Sequence, residues 1–303
     1  MKNYKATNVG AALITALLLV AFVVMTVGLL IDTQKISIKT TEQLIDSTNA
    51  YYNALGVEDW ALGYFKIQWA NQTGSNKADW PKVLPQMLIP GGKIKGRIHD
   101  LQGMFNINNI SNIEGQQQFI RLLQAVIPDL PLTEQIELSG KILQRIAGAS
   151  IVPDNNPLLS KYPFQSSHQF IYSVSELRMI DGMDQNLYEA LVPYITALPE
   201  WFSRININTA SVPVLMSLSD QITEQEAFAI IDFRTQNKGI ANINDIANLK
   251  IPPQNLTVDS TYFLIEADVI MNDQALKHYS LLKVNPTKEK LDLIVLWRSQ
   301  GTL

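Results

Sequence analysis

The hydrophobic and polar positions of the chain form three kinds of pattern, and the first is an unbroken apolar run close to the N-terminus. Ala11 to Ile31 are 21 consecutive residues without a charge. As an α-helix this run is about 31 Å long, the thickness of one bilayer hydrocarbon core. Lys2 and Lys5 precede the run and Asp32 follows it. The positive-inside rule therefore predicts a single-pass membrane helix with a cytoplasmic N-terminus and all later residues on the other side.

The second pattern is a helical periodicity that continues beyond the membrane run. Residues 32–71 contain no proline, and apolar residues such as Leu44, Tyr51 and Leu55 recur at spacings of three, four and seven. This pattern favours one long helix, apolar in its first half and amphipathic in its second. A break at Gly56, which would separate a membrane helix from a soluble helix, is the alternative.

The third pattern is the alternation of polar and apolar residues that is typical of β-strands. It occurs over 93–100, and a short apolar stretch at 104–107 follows a turn at Gly103, so these two segments predict a hairpin. Prolines and glycines before residue 93 predict an irregular segment, with a loop at 73–77. Three later stretches predict an antiparallel meander, namely 262–271, 277–284 and 291–297.

A largely helical block lies between these strand regions, and it contains a weak internal repeat. The repeat has three pairs in the same order: Asn106-Ile107-Asn108-Asn109 with Asn206-Ile207-Asn208-Thr209, Leu132-Thr133-Glu134-Gln135 with Ile222-Thr223-Glu224-Gln225, and Val174-Ser175-Glu176-Leu177 with Ile243-Asn244-Asp245-Ile246. Thr223 with Glu226, and Ser173 with Glu176, have the spacing of a capping box at the start of a helix. The repeat therefore predicts that the block consists of two copies of one small helical module.

Strands, then helices, then strands again predict an α+β fold in which the two ends of the chain complete one sheet. The long helix is expected to pack on this sheet through the face that carries Leu44, Tyr51 and Leu55. The predicted limits are 32–108 with 262–303 for the α/β domain, and 109–261 for the helical insert. Within the insert, module one covers 109–199 and module two covers 204–261.

Composition narrows the possible functions. The chain has 303 residues, a formal net charge of −4, three histidines and no cysteine. An acidic chain argues against a charge-driven nucleic-acid role, and the absence of cysteine removes disulfides and thiolate metal sites. The sequence has no GxSxG, P-loop or HExxH motif, so it predicts a protein that is not an enzyme and has no catalytic residues.

The sequence resembles the minor pseudopilin K family of bacterial type II secretion systems over nearly its whole length. The residues that carry the resemblance are Gly10 with Ala11-Ala12-Leu13-Ile14-Thr15, the stretch Tyr52 to Glu58, Asp100 to Asn108, Ser173 to Leu177, Asn206 to Ala210 and the terminal Leu296-Trp297-Arg298. The resemblance implies a pseudopilin fold, a long helix on an antiparallel sheet, with inserted helical modules.

The same resemblance implies how the chain is processed and where it acts. Residues 1–10 would be a basic leader that a prepilin peptidase removes between Gly10 and Ala11, and Ala11 would then be N-methylated. The mature chain would be held in the inner membrane by residues 11–31, with its C-terminal domain in the periplasm. Its implied partners are the H-, I- and J-type minor pseudopilins of a tip complex and the major pseudopilin fibre. This complex would start assembly of the fibre that exports folded proteins.

Thr15 occupies position five after the expected cleavage site, where most pilin-like subunits have a glutamate. A carboxylate in hydrocarbon is costly unless it meets a partner such as a neighbour's terminal ammonium group, and threonine cannot supply that charge. A subunit without the charge has less reason to dock beneath another, which suits a terminal place in the fibre. The alternative is that threonine is merely tolerated, with its hydroxyl bonded to its own helix.

Two further family-level possibilities receive little support from the residues. Relatives bind calcium through an acidic run in the insert, but 148–157 of this chain contains one carboxylate, Asp154. No metal or other cofactor is therefore predicted, and calcium stays the alternative that the resemblance implies. Module two also resembles the helix-hairpin-helix units of membrane-anchored DNA-uptake proteins. Its hairpin at Asn237-Lys238-Gly239 has one glycine on an acidic chain, so no nucleic-acid partner is predicted and DNA binding stays the alternative.

Overall fold

The N-terminal part of the chain is one long helix. The computed structural model describes residues 9–71, 80–147, 169–249, 253–272, 274–287 and 290–301. Helix α1 runs without a break over Val9–Asn71, 63 residues. The prediction of a continuous helix is therefore confirmed, and Gly56 does not interrupt it. The predicted loop at 73–77 lies outside the described residues.

A five-stranded antiparallel sheet packs against this helix, which confirms the predicted α+β fold. Its strand order is β1-β2-β7-β8-β9, so strands from both ends of the chain meet in one sheet. The three C-terminal strands form the predicted meander. The strands of this sheet are β1 (Lys82–Ile89), β2 (Gly92–Asp100), β7 (Tyr262–Met271), β8 (Gln274–Pro286) and β9 (Leu291–Gln300).

The predicted hairpin of 93–100 with 104–107 is wrong. Strand β2 instead pairs with β1, inside the segment predicted to be irregular. The turn between them uses Pro90 and Gly91, whose φ of 77° suits glycine. Pro85 is tolerated because β1 is an edge strand whose register shifts between Leu84 and Met87. The prolines and glycines therefore mark the turn and a strand irregularity, not a long loop.

Helix α1 packs on the sheet through a buried stripe that is made mostly of alanine. The stripe comprises Ala50, Ala54, Val57, Ala61 and Phe65, all less than 10% exposed. On the sheet side, a Cβ atom placed on Gly96 would lie only 2.5 Å from Val57 Cγ1. The predicted packing of the second half of α1 on the sheet is confirmed, but Leu44 is 67% exposed and takes no part in it. Alanine is a weak hydrophobic signal, so the sequence pattern favoured the larger residues.

The helical segments lie between β2 and β7 and share one hydrophobic core. These segments also contain two short parallel strand pairs, β3 with β4 and β5 with β6. The helices are α2 (Ile113–Val126), α3 (Leu132–Ala147), α4 (Gln185–Leu191), α5 (Val212–Ser217) and α6 (Glu224–Gln236), and the short strands are β3 (Phe105–Asn106), β4 (Ile195–Thr196), β5 (Ile205–Asn206) and β6 (Leu256–Thr257). Short 3₁₀ helices cover Ile107–Ser111, Val174–Met179, Val192–Tyr194, Ile243–Leu249 and Pro253–Asn255. The module limits 109–199 and 204–261 stay predictions.

Both predicted capping boxes are present. Thr223 and Glu226 cap α6, and Ser173 and Glu176 cap the 3₁₀ helix Val174–Met179. In each box the hydroxyl accepts from a backbone N–H of the first turn while the carboxylate accepts from the N-cap backbone N–H.

Candidate functional site

The apolar part of α1 is exposed along its whole described length. The helix is long and apolar enough to cross a membrane, and none of its most apolar window is buried by the rest of the chain. Gly10 and Ala11 lie in its first turn. The Thr15 hydroxyl donates to the Ala12 carbonyl oxygen at 2.9 Å. This bond satisfies the threonine hydroxyl within its own helix, as the interpretation of a merely tolerated threonine expects.

A buried carboxylate fastens α1 to the two C-terminal strands of the sheet. Glu58 receives two hydrogen bonds from the Arg298 guanidinium, at 2.7 and 2.8 Å, and a third from the Ser280 hydroxyl at 2.7 Å. Burial alone would raise the pKa of Glu58, but the hydrogen bonds from Arg298 and Ser280 hold that pKa below its ordinary value. Glu58 is thus ionised at neutral pH and joins residues far apart in the sequence.

Contacts along α1 show which end of the sheet faces the membrane helix. At one end, the turn between β7 and β8 contacts Asp46, whose carboxylate accepts from Asn272 Nδ2 at 2.8 Å. At the other end, the ring of Phe65 packs on Phe263, with centroids 4.7 Å apart. Phe263 pairs with Asp100, from which the chain enters the helical segments. The helical segments therefore extend from the end of the sheet that is farthest along α1 from residues 11–31. This end lies about 50 Å from Ile31 along the axis of α1.

The weak sequence repeat corresponds to a repeated hydrogen-bond arrangement. Asn108 Nδ2 donates to the carbonyls of Ile171 and Leu198 and Asn108 Oδ1 accepts from Ile171 N–H, at 2.8–2.9 Å. Asn208 makes the same three bonds to Ile240 and Val258, at 2.6–3.0 Å. Both asparagines are fully buried. Each asparagine bonds to a residue just before the next 3₁₀ helix and to a residue just after the short strand that follows it.

The joint between the sheet and the helical segments is centred on Asp100. Its Oδ2 atom accepts hydrogen bonds, each 2.8 Å long, from Asn206 Nδ2, Thr209 Oγ1 and Ser260 Oγ. Its Oδ1 atom accepts from Gln102 N–H at 2.9 Å. Burial raises the pKa of Asp100 in spite of these four donors. We call Asp100 and these four hydrogen-bond donors the Asp100 cluster.

A second polar contact joins Glu200, the residue that follows module one, to the sheet. The Tyr262 hydroxyl donates to the Glu200 carboxylate, and Lys283 Nζ lies 3.0 Å from the same oxygen. The Lys283 ammonium also lies 4.9 Å from the centre of the Tyr262 ring. Polar side chains therefore hold both modules on the sheet, together with a small buried apolar cluster of Leu101, Leu198, Tyr262 and Leu281.

No sequence motif predicts the roles of these polar residues, although several of them stand in recognisable stretches. Asp100, Asn108 and Asn206 stand in stretches that carry the family resemblance, and Asn108 and Asn208 hold equivalent places in the repeat. A polar residue that recurs at one place of a repeat among buried apolar residues is a usable signal for a structural hydrogen bond. The pairing of Glu58 with Arg298 has no such signal, because 240 residues separate the two.

The hairpin that suggested DNA binding does not present free amides to a ligand. Gly239 N–H donates to the Arg234 carbonyl at 2.6 Å, and Lys238 N–H donates to the Thr235 carbonyl. The next amide, that of Ile240, donates to Asn208 Oδ1 at 2.6 Å. Phosphate binding by such a hairpin needs these amides, so its geometry does not favour a nucleic-acid partner.

No group of three or more His, Asp or Glu side chains that could hold a metal ion occurs within the described ranges. The segment 148–157, whose composition spoke against a calcium loop, lies outside them.

Glu266, on the face of the sheet opposite α1, gives the fold a defined acid sensitivity. The hydrogen bond with His99 and the bidentate bond from Arg97 lower the pKa of Glu266 from 4.5 to about 2, against the opposing effect of burial. A lowered folded-state pKa stabilises the fold above pH 4.5, and this contribution is lost as the pH falls from 4.5 towards 2. We expect Glu266→Gln to remove an acid-dependent term of about 1–3 kcal/mol from the free energy of unfolding.

Urea unfolding at a series of pH values from 2 to 7 measures this term, with the exposed Glu42→Gln as the control. A stability difference between Glu266→Gln and the unmodified chain that stays constant across this range would contradict the assignment.

The arrangement as a whole, a long apolar helix whose second half lies on an antiparallel sheet with helical modules inserted, is that of a pseudopilin. Two family models match the chain, both described as type II secretion system (T2SS), protein K, the first over residues 103–200 and the second over 205–265. Together they cover more than half of the chain, which belongs to the type II secretion system protein K family.

Individual relatives agree with this assignment. The chain is 28% identical to type II secretion system protein K of Pseudomonas aeruginosa, over 88% of this chain and 85% of the relative. It is 25% identical to the protein of the same name from Pectobacterium carotovorum, over 92% of this chain and 93% of the relative. A chain in the crystal structure of the GspK-GspI-GspJ complex from enterotoxigenic Escherichia coli has the same fold. The TM-score is 0.66 at 24% identity, covering 87% of this chain and 99% of that chain.

Proposed function

We propose that the protein is a minor pseudopilin that caps the periplasmic fibre of a type II secretion system and helps to start its assembly. The observation that supports a terminal place is the position of the helical modules at the end of the sheet farthest from the membrane helix. A pilin-like fibre grows by stacking subunits along the direction of α1. Modules of this size at the outer end would obstruct a further subunit above them, but they fit at the tip.

We also propose that α1 anchors the chain in the inner membrane, with a short cytoplasmic N-terminus and a periplasmic domain. Lys2 and Lys5 on one side of the apolar run and Asp32 on the other support this orientation. Residues 1–10 would be the leader removed by prepilin peptidase, with Ala11 as the methylated new terminus. Removal of the leader leaves residues 11–31 in place, so the membrane anchor is retained as part of the assembly.

The partners that we propose are the I- and J-type minor pseudopilins, because the structurally similar GspK chain occurs in a complex with GspI and GspJ. The H-type subunit and the major pseudopilin would lie below this complex in the fibre. The role is structural: the polar clusters at Glu58, Asp100 and Asn208 join parts of the fold to one another, so we propose no catalytic activity.

Co-expression of the full chain with the I- and J-type subunits of the same secretion system tests this proposal. After detergent extraction, an affinity tag on this chain is expected to recover both partners in equal amounts. An elution of this chain alone, while the other two subunits co-purify with each other, would contradict the assignment.

Thr15 gives a prediction about the anchor. Because its hydroxyl bonds to the Ala12 carbonyl of its own helix, Thr15→Val is expected to leave export of secreted proteins within about twofold of the unmodified level. Measurement of exported enzyme activity in complemented cells tests this, with Thr26→Val, which removes the equivalent bond to Phe22, as the matched control. A strong loss of export with Thr15→Val alone would mean that the Thr15 hydroxyl has a partner in another subunit.

A further inference from the structure

The Asp100 cluster is placed where it can control how the helical insert is held. Asp100 is the last residue of β2, so it marks the point where the chain leaves the sheet. Ser260 lies just before β7, where the chain returns. The carboxylate of Asp100 bonds to Ser260 and also to Asn206 and Thr209 at the start of module two. One carboxylate oxygen thus connects the exit of the chain, the beginning of module two and the return to the sheet.

The other contacts around this carboxylate are also polar and close. Gln102 Oε1 accepts from Thr261 N–H at 2.6 Å, and Asn206 N–H donates to the Gln102 carbonyl at 2.7 Å. A Cβ atom placed on Gly103 would lie 2.6 Å from Thr209 Oγ1, so module two approaches the sheet too closely for any side chain there. The large apolar clusters lie on either side, one in the insert and one between α1 and the sheet. A small apolar cluster that includes Leu198 and Leu281 is buried at the joint beside these polar bonds. Each part therefore has its own core, and the polar bonds together with this small cluster set the angle between the two.

We propose that the Asp100 carboxylate fixes the direction in which module two projects from the sheet. The modules fold around Asn108, Asn208 and their own core, and the sheet folds on α1. Without the Asp100 carboxylate, three donors at the joint lose their common acceptor while both cores stay intact. Asp100 is therefore a positioning residue for the insert, and its loss lets module two change its angle.

Distances between pairs of spin labels test this proposal directly, because the chain contains no cysteine. Lys95→Cys on β2 with Asp232→Cys on α6 reports the angle between sheet and module. Gln254→Cys with Asp232→Cys reports the fold of module two itself. All three positions are exposed. The full chain in detergent micelles is measured with Asp100→Ala, and with the exposed Asp129→Ala as the control.

We expect Asp100→Ala to broaden the sheet-to-module distance distribution at least twofold, while the distribution within module two and both distributions in Asp129→Ala keep their width. Asp100→Asn retains an acceptor for Gln102 N–H and is expected to broaden the sheet-to-module distribution less than Asp100→Ala does. If Asp100→Ala does not fold, Asp100→Asn replaces it in the same measurements. An unchanged sheet-to-module distribution in the folded variant would overturn the proposal. Equal broadening within module two would overturn it as well, because Asp100 would then support the module's own fold.

Discussion

Asn208→Ala lowers the free energy of unfolding by about 3–5 kcal/mol, the largest effect that we expect from a single substitution in the insert. The side chain is fully buried and makes three hydrogen bonds, two to the carbonyls of Ile240 and Val258 and one from Ile240 N–H. Alanine leaves these three backbone groups buried without a partner, and burial of an unsatisfied polar group costs about 1–3 kcal/mol. Urea unfolding, followed by circular dichroism, measures the change.

The repeat supplies a matched comparison for this prediction. Asn108→Ala removes the same three bonds in module one and is expected to cost a similar amount. Asn186→Ala, at an exposed position of α4, is the control and should change stability by less than about 0.5 kcal/mol. If Asn208→Ala lowers the free energy of unfolding by less than about 1 kcal/mol, the three hydrogen bonds of Asn208 do not hold module two together as we infer.

Glu58→Gln is expected to lower the free energy of unfolding by about 2–3 kcal/mol and to loosen α1 from the sheet. Glutamine keeps the shape of the side chain and one acceptor for Ser280, but it loses the charge and the bidentate acceptance from Arg298. The Arg298 side chain is 46% exposed, so water replaces part of its lost partner, and the cost stays below that of a fully buried ion pair. Urea unfolding measures the loss, and hydrogen exchange over residues 50–65 measures the loosening of α1.

Asp59→Asn is the matched control for Glu58→Gln, because Asp59 is the exposed neighbour on the same helix. It should leave both stability and exchange unchanged. Equal exchange rates over residues 50–65 in Glu58→Gln and in the unmodified chain would show that the alanine stripe alone holds α1.

The sequence could predict those parts of the fold that local patterns determine. The apolar run, the unbroken helix and the strands at 262–300 follow from periodicity and from the lack of proline. The β1–β2 hairpin could not be predicted, because Pro85, Pro90 and Gly91 are equally typical of a loop. They fit a strand here only because β1 is an edge strand that β2 can pair with. Local composition does not contain that information.

The polar clusters show a second limit. The repeat indicated that Asn108 and Asn208 hold equivalent places, and the structure shows that they make equivalent bonds. The Asp100 cluster and the Glu58–Arg298 pair depend instead on segments that are 100 to 240 residues apart. A carboxylate on an amphipathic helix or at a strand end is usually a surface residue, so its burial follows only from the tertiary arrangement.

The position of the chain in assembled fibres tests the central claim most directly. Met179 is 82% exposed on the insert, and Met179→Cys would be the only cysteine of the chain, so it can carry one gold label. Electron microscopy of isolated pseudopili is expected to show one gold particle at one end of each fibre. Gold particles at regular intervals along the fibres would contradict a terminal position for this protein.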